Sequence, residues 1–211
     1  MEDLSPFSGF TDGAFRFFEK VQPEVSFEFV QEQQPEWERF VHVPMEARLA
    51  ELSEEFGDGY AWHLHRDPWL WRHQMATIDV ADTIGYRLEL SIEGLRGSGG
   101  WMLSDAGQVA RYRAAVGSPE DVGNLPTILE TLRGTGFEIG GNRLKTAPRG
   151  IAVDHPRIGL LRNRTLIASR WIDPAILSTA DCATQVRAAF RELRELVEWF
   201  VAHVGPRDGR A

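Results

Sequence analysis

Apolar and polar positions along the chain repeat with two different periods. Behind Thr11, a fair N-cap, Ala14, Phe15, Phe18 and Val21 recur every three or four residues, and Pro23 closes the run. That spacing predicts an opening helix. From about Pro35 to Phe56, the side chains of Trp37, Phe40, Val41, Met45, Leu49, Leu52 and Phe56 share one side of a second helix. Pro44 lies inside it and predicts a kink, because proline lacks the N–H of the helical ladder. Asp181–Val204 carries the strongest helical period, through Val186, Ala189, Phe190, Leu193, Val197, Phe200 and Val204, and Gly205-Pro206 stops it.

The middle of the chain changes to a period of two. Tyr60–Asp67 alternates, with Trp62, Leu64 and Arg66 on one face and His63, His65 and Asp67 on the other. Tyr86–Leu95 sets Tyr86, Leu88, Leu90 and Ile92 against Arg87, Glu89, Ser91 and Glu93, the pattern of an antiparallel sheet wetted on one side. Thr77–Val80, Trp101–Leu103 and Thr165–Trp171 read as shorter strands, with Gly97–Gly100 as the link into the second of these. Phe27 and Phe29 form an apolar patch, and Trp69-Leu70-Trp71 a compact aromatic cluster.

Local signals punctuate these elements. Ser104 is the expected cap of a helix reaching Gly117, and Ser118-Pro119-Glu120-Asp121 is a strong start for a helix that Gly134 ends. Gly140-Gly141-Asn142 predicts a hairpin between 137–139 and 143–145. Asp154 is the expected cap of a short helix with Pro156 in its first turn and Ile158, Leu160 and Leu161 inside. Helices at both ends with strands between predict an α+β fold, a mainly antiparallel sheet packed by helices from the N- and C-terminal parts. No repeat or low-complexity linker interrupts it, so a single domain over residues 1–206 is expected, with a flexible tail at 207–211.

Composition narrows the setting. The 211 residues are 43% hydrophobic and 26% charged, ordinary for a globular protein. Cys182 is the only cysteine, which excludes an intrachain disulfide and a thiolate metal cluster. The start, MEDLSPFSGF, lacks the basic-then-apolar pattern of a signal peptide, and no apolar run approaches the roughly 20 residues of a membrane span. A cytoplasmic protein without membrane association is the simplest expectation.

Charge adds a functional pointer. The formal net charge of −8 argues against general nucleic-acid binding. Residues 1–60 hold fourteen acids against four bases, whereas the stretch from Arg143 to Arg170 holds seven bases against one acid, Asp154. An arginine fork matches the geometry of carboxylate and phosphate, so this stretch is read as an anion-binding face for a small ligand or a protein partner. Its candidate residues are Arg149, Arg157, Arg162 and Arg164, joined by Arg66 and Asp67. The competing reading is a solvated surface whose arginines pair with acids elsewhere. No sequence signal specifies a cofactor.

Two further readings compete. His63 and His65, with Asp67 on the same predicted face, have the ligand types of a divalent metal site, which would make the chain a metal-assisted hydrolase-like enzyme. The tryptophans could instead serve a degenerate protein-interaction module. Asp154-His155 suggests an acid–base pair only superficially, since helix capping accounts for the aspartate.

The order of several short pieces is similar to a known family. Phe7-Ser8-Gly9-Phe10, Pro44-Met45 in a kinked helix, Arg66-Asp67 after a strand and Gly100-Trp101-Met102 appear in sequence. They lead to Leu144-Lys145, Pro148-Arg149-Gly150 and Asp154-His155-Pro156. In this order and spacing, from about Phe7 to Val204, the chain resembles the family called domain of unknown function 2461. The resemblance implies an α+β domain in a cytoplasmic setting and carries no activity with it. The chain departs from the family pattern at residues 24–30, EVSFEFV, where members have an Asn-rich stretch with Trp-Phe. It departs again at 68–77, PWLWRHQMAT, where members have a Lys-rich segment ending in Pro-Tyr-Lys.

Overall fold

The two periods resolve into an α+β architecture. The computed structural model describes residues 9–22, 25–64, 67–118 and 123–208. The chain opens with α1 (Asp12–Val21), α2 (Phe27–Glu32), α3 (Gln34–Trp37), a π turn at Glu38–His42 and α4 (Val43–Phe56). It continues through β1 (Gly59–Ala61), α5 (Pro68–Arg72), β2 (His73–Ala81), β3 (Ile84–Ser91) and β4 (Gly94–Trp101). Then come α6 (Ala106–Gly117), α7 (Leu125–Gly134), β5 (Glu138–Gly140), α8 (Ile158–Leu161), β6 (Leu166–Trp171), a 3-10 turn at Pro174–Ile176, and α9 (Asp181–His203). The strands form an open antiparallel sheet of six in the order β1-β2-β3-β4-β6-β5. Among the described residues, no helix is long and apolar enough to cross a membrane.

Contacts divide the chain into two compact units. The first comprises Met1–Ile78, Arg87–Gly97 and Trp171–Ala189. Phe10, Phe17, Phe18, Val41, Met45 and Leu52 are buried in it. The predicted kink at Pro44 takes a definite form there. Its ring would clash with the Phe40 carbonyl four residues back, and the backbone widens instead, the Val43 N–H bonding Glu38 O five residues back. Trp37 Nε1 donates to buried Gln74 Oε1 at 2.9 Å, and Gln74 Nε2 donates to the Trp62 carbonyl at 2.8 Å. β1 pairs with β2 in the register Tyr60↔Thr77. Cys182 is buried in this unit, and desolvation pushes its thiol up to about 11 despite nearby Arg48, so it stays protonated.

The second unit comprises Asp79–Tyr86, Ser98–Arg170 and Phe190–Ala211. Trp101, Tyr112, Phe190 and Phe200 are among its largest fully buried side chains. Tyr86 stacks on Phe190 with ring centroids 4.8 Å apart. Buried Gln108 accepts from Trp101 Nε1 and donates to Thr83 Oγ1 and to Gly205 O. Arg207 forks onto Asp82 at 2.8 and 2.9 Å, and the Asp208 N–H reaches Asp105.

Several expectations need correction. The strand read over Tyr60–Asp67 ends at Ala61, so His63 lies beyond it. The run Tyr86–Leu95 is broken by a turn at Ile92-Glu93, where Gly94 takes φ +123° and opens β4. Gly97–Gly100 is therefore strand, not linker. An added Cβ at Gly100 would stand 2.5 Å from Leu166 O, so the glycine marks a close backbone approach. Thr77–Val80 extends to His73–Ala81, and the clusters at 27–29 and 69–71 are helical. Asp105, not Ser104, caps α6, in a reciprocal box with Gln108. The hairpin at 137–145 does not form: β5 pairs with β6, and Arg143 makes an isolated bridge with Asn163. The helix start read at Pro119-Glu120-Asp121 lies outside the described residues.

Candidate functional site

The second unit contains a groove of about 560 Å³ between α7, the end of β5 and the segment that leads through α8. Among the described residues, three arginines line it, Arg133, Arg143 and Arg157, together with the Asn163 amide, and no acidic residue does. Each arginine arrives for a local reason. Arg133 sits in the last turn of α7, where a cation suits the negative helix end. Arg143 is fixed by its bridge to Asn163, and its Nη2 stands 4.0 Å from where a Cβ on Gly159 would be. Arg157 precedes α8 and sends its fork to Gly117 O and Ser118 O, at the C-terminal end of α6, at 2.8 and 2.9 Å.

The walls between these arginines are apolar, from Leu129, Ile139, Leu160 and Pro156. Behind α8, the Tyr112 hydroxyl donates to Leu160 O at 3.1 Å, and burial pushes its phenol up to about 12, so it remains a donor at neutral pH. Arg113 Nε donates to Leu161 O. Desolvation, then the charge of Arg164, lowers the Arg113 pKa.

The structure sorts the predicted arginines by what their forks hold. Arg162 donates from Nε to Leu144 O at 2.8 Å and from Nη2 to Lys145 O. With Asn142 O accepting from the Arg164 and Thr165 N–H groups, this ties 142–145 to 162–165 and places Arg143. Arg149 and Arg164 are exposed and do not line the groove. Arg66 lies outside the described residues, and Asp67 belongs to the first unit, its carbonyl accepting from the Leu70 N–H as α5 begins. Of the described members of the predicted set, only Arg157 therefore lines the groove. Among the described residues, none of Arg133, Arg143, Arg149, Arg157, Arg162 and Arg164 makes an ion pair with a carboxylate. The forks that are occupied hold neutral carbonyls, which satisfy the N–H groups without cancelling the charge.

Asp154 does not cap a helix. α8 begins at Ile158 with Arg157 as its N-cap, and the His155 ring Nδ1 accepts from the Arg157 N–H instead. That hydrogen bond gives His155 a local structural role. His63 is exposed and packs its ring 4.9 Å from that of His42, while His65 lies outside the described residues. Among the described residues, no group of three or more His, Cys, Asp or Glu could hold a metal ion. The His42 imidazole is buried, stacked on Trp37, with Nε2 3.3 Å from Glu46. Burial lowers its pKa, helped by His63 and opposed by Glu46 and Glu38. Of the tryptophans, Trp101 is wholly buried, and Trp62 donates to Thr77 Oγ1 beneath the Arg87 guanidinium.

Sequence reasoning passed over Arg133 and counted Arg143 only as part of a charged run. A cation in a last helical turn is commonplace, and nothing in the spacing reveals that α7 and residue 143 meet. No curated protein and no solved structure gives a match to the chain. A family model described as conserved hypothetical protein (DUF2461) matches residues 64–199, a span of 136 of the 211 positions that takes in every residue of the groove. The chain accordingly belongs to the conserved hypothetical protein family DUF2461.

Proposed function

We propose that this protein binds an anionic ligand in the arginine groove of its second unit, as a cytoplasmic protein. The observation that carries the reading is the lining itself, which among the described residues has three guanidinium groups, an amide and no carboxylate. Among the described residues, the guanidinium groups of Arg133 and Arg143 make no hydrogen bond or ion pair, so their forks are available to a bidentate acceptor. Arg157 contributes charge while its fork stays on the end of α6. Arg149 and Arg164 lie outside the lining and serve at most as long-range attraction, which salt screens over about 10 Å at 0.1 M.

Titration calorimetry with inorganic pyrophosphate tests this reading. Arg133→Gln with Arg143→Gln is expected to weaken binding at least tenfold, and raising salt from about 50 to 300 mM to weaken it further. Affinity indifferent to both changes would overturn the reading, as would absence of binding by the unaltered protein.

A further inference from the structure

A bare oxyanion would fill only a small part of the groove, and the rest of its wall is apolar. At about 560 Å³ it lies within the roughly 300–1,000 Å³ of sites that enclose organic ligands. Ile139 and Leu160 are half-buried beside the guanidinium groups, and Leu129 lies at the base. A phosphate alone would leave this surface wet and gain nothing from it. We infer, resting on the anion-binding reading above, that the groove takes an amphiphilic organic anion, with its phosphate or carboxylate head on Arg133 and Arg143 and its apolar body against Ile139, Leu129 and Leu160.

The charge and the apolar wall make separate predictions. Burying one methylene is worth about 0.8 kcal/mol, or roughly fourfold in affinity. A short alkyl chain should therefore strengthen binding in steps, which inorganic phosphate cannot show. Gly140 is a place to add bulk to the groove. It lines the groove, its φ lies outside the left-handed region, and an added Cβ meets no atom within 4 Å. A side chain at position 140 is therefore accommodated without a clash, and Gly140→Leu adds bulk at the lining.

The experiment compares inorganic phosphate, ethyl phosphate, hexyl phosphate and hexanoate by titration calorimetry on the full chain. Hexyl phosphate is expected to bind at least thirtyfold more tightly than inorganic phosphate. Gly140→Leu should reduce that gain. Ile139→Thr, which keeps a β-branched residue in β5, should lose part of the gain and guards against misfolding of the leucine variant. The ratio of hexyl phosphate to hexanoate identifies the head group. Equal affinity for hexyl and inorganic phosphate would overturn the amphiphile and leave the anion site standing. Tight hexyl phosphate binding that ignores Arg133→Gln and Arg143→Gln would overturn both, as would no binding of any of the four.

Discussion

At the scale of single residues, the arginines divide by the acceptor each fork holds. A guanidinium on a carboxylate is neutralised; one on a carbonyl is held in place and stays cationic. Arg157 and Arg162 are of the second kind and build the groove as much as they charge it. Arg162→Ala should therefore lower stability by about 1–2 kcal/mol, since it removes charge-assisted bonds to Leu144 O and Lys145 O. Arg164→Ala, an exposed change, should stay within about 0.5 kcal/mol. Urea unfolding of the two variants checks the pair, and equal midpoints would contradict the structural role given to Arg162. Arg162→Lys should not restore the loss, because an ammonium cannot span two carbonyls as a planar fork does.

At the scale of elements, β4 shows where pattern and packing part company. Four consecutive residues of glycine and serine read as a linker, yet Gly97–Gly100 lies within a strand. Neighbouring groups come too close for a side chain: Leu193 stands within 3.3 Å of a Cβ built on Gly99, and Leu166 O within 2.5 Å of one on Gly100. Gly100→Ala must also adopt φ +136°, so a loss of about 2–3 kcal/mol in urea unfolding is expected. A wild-type midpoint would show that β4 and β6 can move apart without cost. The long periodic elements were legible because their signal is local: α1, α4, α9 and the inward face of β6 fall where apolar spacing places them. A disturbance of the helix at Pro44 was equally legible, since its cause lies four residues away, though it takes the form of a π turn. What escaped was set by distant partners. β5 looked like half of a hairpin but pairs with β6, and that pairing, with the Arg143–Asn163 bridge, brings Arg133 and Arg143 to one groove. Of the site, the sequence disclosed the sign of the charge and Arg157, and not the arrangement.

For the molecule as a whole, acidity and the proposed anion binding pull in different directions. The net charge of −8 repels anions at long range, while the groove offers no carboxylate among the described residues of its lining. Ligand capture should therefore depend on short-range contact more than on steering. Stability has its own dependence on pH through His42. Its pKa is lowered in the folded state, chiefly by burial, so the unfolded chain takes up the proton more readily. The contribution is complete above the ordinary value of 6.5 and is lost as pH falls below it toward the lowered folded value. His42→Leu should flatten the urea midpoint between pH 7.5 and the region just below 6.5, where the unaltered protein declines. A decline of the same slope in the variant would assign that dependence to another group.

The hydrogen bond from Gln108 to Gly205 reaches across 97 positions of sequence. It ties the interior of one helix to the stretch that follows α9, where Arg207 and Asp208 fasten the same stretch from outside. Shortening the polypeptide to end at Val204 would thus do more than trim an edge. It would take one acceptor from a wholly enclosed amide, the Arg207 fork from Asp82 and the Asp208 N–H from the aspartate that caps α6, so these few terminal residues act as the keystone of the unit they close.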